Sequence, residues 1–251
     1  MTTLTNLPLA GKTALVTGAS RGIGAGVAQE LARQGAHVAI TYWSSPERAE
    51  TVVSEIIAAG GSAVAIRANN AEATGARQGV RDAAAQLGSL DILVNSAGGG
   101  WFEPFPDASD DHIEQTINLN IRGTIYSTHE ALKHLPDGGR IITIGSVTAE
   151  SIPFPGGSVY GMSKAALVAF TRGLSRDLGD RKITANTVQP GPIDTEGNPA
   201  SGPSGAFLAS LTALKRFAEP KDVGALVAWI ASDEAHFMTG SIVTMDGGWT
   251  A

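Results

Sequence analysis

The apolar residues of the chain fall into seven short runs, separated by longer stretches in which apolar residues recur every three or four positions. The runs cover residues 12–17, 37–41, 62–66, 90–95, 140–144, 183–188 and 241–245. Most of them are nearly continuous rather than alternating, which is typical of strands covered on both faces. The pattern therefore predicts seven strands of one parallel sheet.

The stretches between the runs predict helices. One follows Gly24 and ends at Gly35, and the others cover residues 46–59, 72–87, 107–135, 160–178 and 220–231. Residues 107–135 are predicted as two helices or as one long bent helix. Alternating strands and helices form right-handed crossovers, so we expect a single Rossmann-like doubly wound α/β domain over residues 1–251, with helices on both faces. Segment 196–214, rich in Gly, Ser and Pro, is predicted to be a mobile loop with a short helix at 207–208.

The composition narrows the class of protein. Hydrophobic residues make up 43% of the 251 residues and charged residues 17%, which suits a folded chain with a large core. A net charge of −6 argues against a nucleic-acid-binding surface. No apolar run is long enough to span a membrane, and residues 1–6 lack the features of a secretory signal. We therefore expect a cytoplasmic protein with neither nucleic-acid nor membrane partners.

Metal and thiol chemistry find no support in the sequence. The chain has no cysteine, which excludes disulfides, thiolate metal ligands and cysteine nucleophiles. His129 and His134 are five residues apart, whereas a spacing of four places two ligands on one helix face. No metal site is therefore predicted.

Tyr160 and Lys164 stand four residues apart in the predicted helix 160–178. This spacing places both side chains on one helix face, one turn apart. A phenol has an ordinary pKa of about 10, and a neighbouring ammonium group favours the phenolate and lowers that pKa. Proton transfer is most efficient when the pKa is near the working pH, so the two residues are candidates for an acid/base pair.

A glycine-rich turn joins the first predicted strand to the first predicted helix. Gly18, Gly22 and Gly24 have the spacing Gly-x-x-x-Gly-x-Gly. Such a turn lets the backbone approach a pyrophosphate, which the free N–H groups of the following helix then bind. An ordinary tight turn between a strand and a helix is the alternative interpretation.

The end of the second predicted strand indicates which dinucleotide would bind. A site selective for NAD usually carries an acidic residue there, hydrogen-bonded to the ribose hydroxyls. Here the residues are Tyr42, Trp43, Ser44 and Ser45, without an acid. Their hydroxyls and the cation of Arg21 suit a 2′-phosphate, so NADP(H) is the predicted cofactor.

With these pieces in order, the chain from Leu9 to Gly248 resembles a short-chain dehydrogenase/reductase. The turn 17–24 matches the cofactor motif of that family, and residues 95–98 are similar to its Asn-Asn-Ala-Gly motif, with Ser96 as a departure. Ser146 precedes Tyr160 by 14 residues, which is a spacing that the family uses. Residues 190–195 resemble its nicotinamide-side loop, and residues 245–248 resemble its C-terminal signature.

The resemblance implies that a hydride passes between NADP(H) and a small or medium ketone or secondary alcohol. Tyr160 would be the general acid or base, Lys164 would lower its pKa and hold the nicotinamide ribose, and Ser146 would donate to the carbonyl oxygen. Asn120 falls where the family keeps an active-site Asn that holds a water; Asn118 competes, but the glycine three residues after Asn120 favours the latter. Taken alone, Ser146 would cap a turn and Asn120 would mark a helix kink.

The resemblance also assigns the contacts around these residues. The cofactor contacts would be Gly18, Ser20, Arg21, Gly22, Ile23, Gly24, Tyr42, Ser44, Ser45, Asn69, Asn70, Asn95, Ala97, Gly98, Tyr160, Lys164, Pro190, Gly191, Ile193 and Thr195. Asn69 and Asn70 stand where many members have an Asp and an apolar residue beside the adenine. The substrate pocket would be lined from residues 99–102, 147–154 and 192–211, with Trp101, Val147, Ile152, Phe154 and Phe207 making it apolar.

Three other functions remain open at this point. The chain could be an NAD-dependent secondary-alcohol dehydrogenase, a 3-oxoacyl-[acyl-carrier-protein] reductase or a non-catalytic NADP-sensing protein. Asp137 and Arg181 stand where carrier-dependent reductases place basic residues, and the acid at 137 argues against a carrier. By resemblance a homotetramer is expected, with residues 160–178 and 247–249 at subunit contacts.

Overall fold

The computed structural model describes residues 7–251, so the expectation that residues 1–6 are no secretory signal lies outside the described residues. Seven strands form one parallel sheet, as predicted, and their order is β3-β2-β1-β4-β5-β6-β7. Their bounds are β1 Thr13–Val16, β2 His37–Tyr42, β3 Ser62–Arg67, β4 Ile92–Asn95, β5 Arg140–Ile144, β6 Thr184–Pro190 and β7 Ile242–Met245.

Eight α-helices connect the strands and cover both faces of the sheet. They are α1 Gly22–Arg33, α2 Pro46–Ala58, α3 Ala73–Leu87, α4 Asp110–Ile117, α5 Thr124–Ala131, α6 Ser158–Asp177, α7 Gly205–Leu211 and α8 Pro220–Ala231. Helix α6 begins two residues before the predicted start at Tyr160, and α7 is the short helix predicted within segment 196–214. Within residues 7–251, none of the helices has the length and apolar character needed to cross a membrane.

The stretch predicted as two helices or one bent helix is continuous but changes its winding. A π-helical segment, Asn118–Gly123, joins α4 to α5. The hydrogen bond of a π-helical turn spans one residue more than that of an α-helical turn, and such turns are frequent at functional sites. At its end a side chain on Gly123 would collide with the backbone of Asn70, so glycine is required there. Asn120 lies in the middle of this segment.

Neighbouring residues of each strand point to opposite faces and enter two separate cores. Val16 of β1 packs with residues of α1, α2 and α8, including Leu31, Ile56 and Val227. The preceding Leu15 packs on the other face with residues of α3, α5 and α6, including Val80. Burial on both faces explains why the strands read as continuous apolar runs.

The strand order reverses between β1 and β4. Val16 pairs with Ile40 of β2 on one side and with Val94 of β4 on the other. The chain leaves these strands toward opposite faces, and a crevice opens at their carboxyl ends, where doubly wound sheets bind ligands.

Helices α1 and α8 approach closely because glycines stand at their contact. A Cβ atom on Gly224 would lie 2.6 Å from the carbonyl oxygen of Gly26. Backbone atoms cannot yield as a flexible side chain does, so this position excludes any side chain without a shift of the helices.

We expect Gly224→Ala to lower the free energy of unfolding by about 1–3 kcal/mol, although alanine favours a helix by about 1 kcal/mol. Gly179→Ala is the control, because nothing lies within 4 Å of the added methyl group. Chemical denaturation of both variants measures the difference. Equal stability of Gly224→Ala and the wild type would contradict the close contact between the helices.

Candidate active site

A cavity of about 850 Å³ lies at the carboxyl ends of the central strands. One end is formed by the glycine-rich turn after β1, and the other by apolar and aromatic side chains beside the first turn of α6. The predicted cofactor residues that line it are Gly18, Arg21, Gly22, Ile23, Gly24, Gly98, Tyr160, Lys164, Pro190, Gly191, Ile193 and Thr195.

The glycine-rich turn is shaped by close backbone contacts. Gly18 has a φ of +64°, and a Cβ atom there would lie 2.6 Å from the Cα of Ala97. A Cβ atom on Gly24 would lie 2.8 Å from the carbonyl oxygen of Gly18. Side chains are therefore excluded, and the backbone stays open to the cavity.

Two threonines fix this turn against the neighbouring strands. The hydroxyl oxygen of Thr17 accepts hydrogen bonds from the N–H groups of Ser96 and Ala97, both at 3.0 Å. The N–H of Gly18 donates to the hydroxyl oxygen of Thr41 at 3.0 Å. Ala97 thus contributes through its backbone.

Asn70, predicted to lie beside the adenine, bonds within the protein through its side chain. Its side chain is buried; its Oδ1 accepts from the hydroxyl of Thr41 at 3.2 Å and its Nδ2 donates to Ser127 at 3.2 Å. The amide thereby braces the threonine that holds Gly18. The neighbouring Asn69 donates to Glu72 at 2.9 Å at the start of α3.

Other predicted cofactor residues do not line the cavity. They are Ser20, Tyr42, Ser44, Ser45, Asn69, Asn70, Asn95 and Ala97. The Nδ2 of Asn95 donates to the hydroxyl of Thr128 at 3.0 Å, which ties β4 to α5. Of the residues predicted to bind a 2′-phosphate, Ser44 is exposed beyond the end of β2, Tyr42 and Ser45 are half-buried, and Arg21 lines the cavity.

Lys164 is buried, and its ammonium group donates to the carbonyl oxygen of Ile144 at 3.0 Å. The Nζ atom lies 5.7 Å from the centroid of the Tyr160 ring. Burial lowers the pKa of Lys164 to about 8. The contact with β5 fixes α6 against the sheet at the point where Tyr160 enters the cavity.

The prediction that Lys164 lowers the pKa of Tyr160 is wrong for the protein by itself. Burial of the phenol raises its pKa above the ordinary value, and the hydroxyl of Ser146 lowers it by less. Burial disfavours the charged phenolate more strongly than the surrounding groups favour it. Tyr160 is therefore a neutral phenol that holds its proton.

Ser146 lies at the end of β5 and caps a short 3-10 turn, Val147–Ala149. Its hydroxyl oxygen accepts from the N–H of Thr148 at 3.2 Å and from the Thr148 hydroxyl at 2.9 Å. Ser146 thus caps the turn and also lines the cavity together with Tyr160.

Asn120 is buried in the π-helical segment and holds the loop after β4. Its Oδ1 accepts from the N–H of Gly99 at 3.0 Å, and its Nδ2 donates to the Gly99 carbonyl oxygen and to Ser163, both at 2.8 Å. Ser163 donates in turn to the carbonyl oxygen of Tyr160 at 2.7 Å. The chain of bonds links the loop to the first turn of α6; the water at Asn120 stays a prediction.

The apolar end of the cavity contains more aromatic rings than predicted. Val147, Phe154 and Phe207 line it, as expected. The ring of Phe102 lies 5.0 Å from that of Tyr160, and Trp249 meets Phe154 edge-on at 6.2 Å. Trp249 was predicted at a subunit contact, yet it lines the cavity of its own chain.

Trp101 and Ile152 do not line this cavity. Trp101 stacks on the His112 ring at 4.3 Å, and His112 pairs with Glu103 at 2.8 Å, so its side chain turns away from Tyr160. Ile152 packs toward Gly157 and is 40% exposed. Both were assigned to the pocket because apolar character in sequence does not show which way a loop residue points.

Comparisons with known proteins identify the family. A family model described as Enoyl-(Acyl carrier protein) reductase matches residues 18–250. The cyclic-di-GMP-binding biofilm dispersal mediator protein of Escherichia coli is 42% identical over 241 residues, which cover 96% of this chain and 98% of that protein. A short-chain dehydrogenase/reductase from Serratia marcescens is 45% identical with a TM-score of 0.95, covering 97% of this chain and 100% of that chain. The chain belongs to the short-chain dehydrogenase/reductase family.

A further member, a short chain dehydrogenase from Burkholderia cenocepacia, was solved in complex with NADP. It is 46% identical with a TM-score of 0.95, and the match covers 97% of this chain and 100% of that chain. This relative supports NADP(H) as the cofactor of the family member described by this chain.

Sequence reasoning missed two polar residues of the site. Ser163 joins Asn120 to α6, and Thr148 holds the hydroxyl of Ser146. Each lies next to a predicted catalytic residue in sequence, Ser163 before Lys164 and Thr148 two residues after Ser146. Serine and threonine side chains often form hydrogen bonds with neighbouring residues in the chain, and this tendency could have indicated both residues.

We expect the stability of Lys164→Met relative to the wild type to depend on pH. The pKa of Lys164 is about 8 in the folded protein against 10.5 for the free side chain. Between these values the unfolded chain binds more protons than the folded one, so the wild type gains stability as the pH rises. Below pH 8 the lysine is charged in both states, and burial of this charge lowers the free energy of unfolding by about 3 kcal/mol, since each unit of the pKa shift is worth about 1.4 kcal/mol.

Denaturant unfolding of both proteins at pH 7, 8, 9 and 10 measures this effect. The advantage of Lys164→Met should shrink steadily above pH 8. Lys221→Met is the control: its ammonium group lies at the surface beside Glu219, which raises its pKa, so the control should show no gain of wild-type stability between pH 8 and 10. A pH-independent difference for Lys164→Met would show that its ammonium group is not held in a buried site.

Proposed function

We propose that the protein is an NADPH-dependent carbonyl reductase that acts on a small or medium, mostly uncharged ketone. The observation that carries the proposal is the place of the Tyr160 phenol in the cavity. The phenol stands beside Ser146 and Lys164 in one cavity, with an open glycine turn at one end and apolar walls at the other.

The residues at the turn fit a dinucleotide. A side chain at Gly18 or Gly24 would collide with backbone, so the open turn suits the close approach of a pyrophosphate. Arg21 is the residue before the first turn of α1, and its side chain accepts no hydrogen bond from the N–H groups of that turn. The first N–H groups of α1 can therefore bind an anion. The relative from Burkholderia cenocepacia holds NADP, which supports the same cofactor here. When bound, NADPH supplies the hydride.

Tyr160 supplies the proton. Because burial keeps the phenol neutral, the hydroxyl hydrogen is available for the carbonyl oxygen as that oxygen gains negative charge. Ser146 donates a second hydrogen bond to the same oxygen and stabilises its charge. Lys164 is buried one helical turn from Tyr160 and holds α6 against β5, which keeps the phenol in place beside Ser146.

The walls around Tyr160 define the substrate. Among the described residues that line the cavity, the charged ones are Arg21, Lys164 and Glu196. Glu196 pairs with Arg48 of α2 at 2.5 Å, and Arg21 belongs to the glycine turn. The remaining lining beside Tyr160 is largely aromatic and aliphatic, so charged substituents on the ketone are disfavoured.

A carrier-bound acyl group is the less favoured substrate. Arg181 stands where carrier-dependent reductases place a basic residue, but its guanidinium donates to Asp137 at 3.2 Å and to the Leu132 carbonyl oxygen at 3.0 Å. A cation held by its own chain is poorly placed to bind an acidic carrier. The net charge of −6 also repels such a partner.

A binding protein without catalysis is the alternative from another class. It is suggested by the Escherichia coli relative, which is named for binding cyclic-di-GMP. A protein that only binds has no need of an ordered proton donor. Ser146, Tyr160, Lys164 and Asn120 are all present here. Thr148 holds Ser146, the Ile144 carbonyl oxygen holds Lys164, and Asn120 is joined through Ser163 to the backbone of Tyr160, an order that favours catalysis.

The cellular setting follows from the family resemblance. We expect a homotetramer in the cytoplasm, with the outer face of α6 at a subunit contact. Met162 on this helix is 48% exposed, which suits a surface that a second copy covers.

Reduction of a panel of ketones, followed by loss of NADPH absorbance, tests the proposed function. Tyr160→Phe removes the proton donor and keeps the ring, so we expect a loss of about 100- to 10,000-fold in kcat with NADPH binding retained. Tyr126→Phe, on α5, is the matched control and should keep wild-type rates. If Tyr160→Phe reduces ketones at the wild-type rate, the assigned mechanism is wrong.

The cofactor assignment has its own test. Arg21→Gln removes a cation beside the turn and should raise the KM for NADPH by about 10- to 100-fold, since hydrogen bonds to charged groups are worth about 1.5–3 kcal/mol. NADH lacks the 2′-phosphate, so its KM should hardly change. Equal KM values for NADPH and NADH in the wild type would instead support an NAD-dependent alcohol dehydrogenase.

A further inference from the structure

The hydroxyl group of Ser146 is held from one side by a single residue. Thr148 donates to its oxygen twice, through the N–H at 3.2 Å and through the side-chain hydroxyl at 2.9 Å. Thr148 is itself 7% exposed. The contact therefore lies inside the protein, next to the cavity that Ser146 lines.

These two bonds determine what the Ser146 hydroxyl can still do. A serine hydroxyl has one hydrogen to donate and two lone pairs that accept. Both lone pairs are directed at Thr148, so the hydrogen must point away from it. Because Ser146 lines the cavity, that hydrogen can be directed into it.

We propose that Thr148 is a positioning residue that fixes the Ser146 hydroxyl as a hydrogen-bond donor to the substrate oxygen. This inference rests on the proposed carbonyl reduction. Without the second bond, the serine hydroxyl can rotate and accept the hydrogen of Tyr160. The phenol would then donate to Ser146 in place of the carbonyl oxygen.

The backbone holds Thr148 in a fixed place relative to Tyr160. A Cβ atom on Gly161, the residue after Tyr160, would lie 2.8 Å from the carbonyl oxygen of Thr148. Helix α6 and the turn after β5 are thus in direct contact at this point. Thr148, which orients Ser146, and Tyr160, which supplies the proton, are therefore held in a fixed position relative to each other.

The main alternative is that Thr148 only shapes the 3-10 turn. The turn is capped by the bond from the N–H of Thr148 to Ser146, and this bond survives any substitution except proline. Thr148→Val keeps the shape and removes the hydroxyl, whereas Thr148→Ser keeps the hydroxyl. The pair therefore separates the side-chain bond from the shape of the turn.

The experiment measures kcat and KM for NADPH-dependent ketone reduction in a double-mutant cycle of Thr148→Val and Ser146→Ala. Alone, Thr148→Val should lower kcat about tenfold, the effect of one neutral hydrogen bond, with NADPH binding and melting temperature unchanged. Thr148→Ser should restore most of kcat. In the Ser146→Ala background, Thr148→Val should have no further effect, because there is no hydroxyl left to orient.

Three results would overturn the inference: wild-type kcat in Thr148→Val, no rescue by Thr148→Ser, or an equal loss from Thr148→Val in the Ser146→Ala background. Each of these can occur while Tyr160→Phe and Ser146→Ala still lower kcat strongly but measurably, in which case the proposed function stands. If Tyr160→Phe and Ser146→Ala are both fully active, the proposed function fails as well.

Discussion

The burial of the Lys164 ammonium group against the end of β5 is the interaction on which the site depends. A lysine side chain out of water destabilises the folded state, and the lowered pKa of about 8 expresses that effect. Its hydrogen bond to the Ile144 carbonyl oxygen ties α6 to the sheet two residues before Ser146. Because Tyr160 is one helical turn from Lys164, the same contact brings the phenol to the serine. A destabilising group at this place is the kind of local strain that folds retain at functional sites.

The second constraint is the reversal of strand order between β1 and β4. It opens the crevice, and the glycine turn keeps the crevice lined with backbone. Thr17 and Thr41 fasten this turn to the strands on either side, and Asn70 fastens Thr41. The two ends of the cavity thereby differ in chemistry: polar backbone at one end suits phosphates, while aromatic side chains at the other suit an uncharged ketone.

The fold was predictable because burial on both faces of a parallel sheet leaves continuous apolar runs, which the sequence shows directly. Tyr160 and Lys164 could be paired from the sequence because a spacing of four places them on one helix face, whereas Ser146 was predicted from the resemblance to the family. The π-helical segment was not predicted, because a change of helical winding over residues 118–123 produces no clear spacing of apolar residues. The brace formed by Asn70 joins residues 29 and 57 positions away, so no local pattern shows it. The raised pKa of Tyr160 depends on burial by the whole fold, and the adjacent lysine alone suggested the opposite direction.

The central claim is that a hydride goes to the carbonyl carbon while an exchangeable proton goes to the oxygen. Mixing the protein in ordinary water with a ketone and NADPH deuterated at the transferring position of the nicotinamide tests it most directly. Mass spectrometry of the alcohol should show one deuterium on the carbinol carbon, and the same reaction with unlabelled NADPH in heavy water should show none there. An alcohol without cofactor-derived deuterium, or no alcohol from any ketone of a broad panel, would contradict the account.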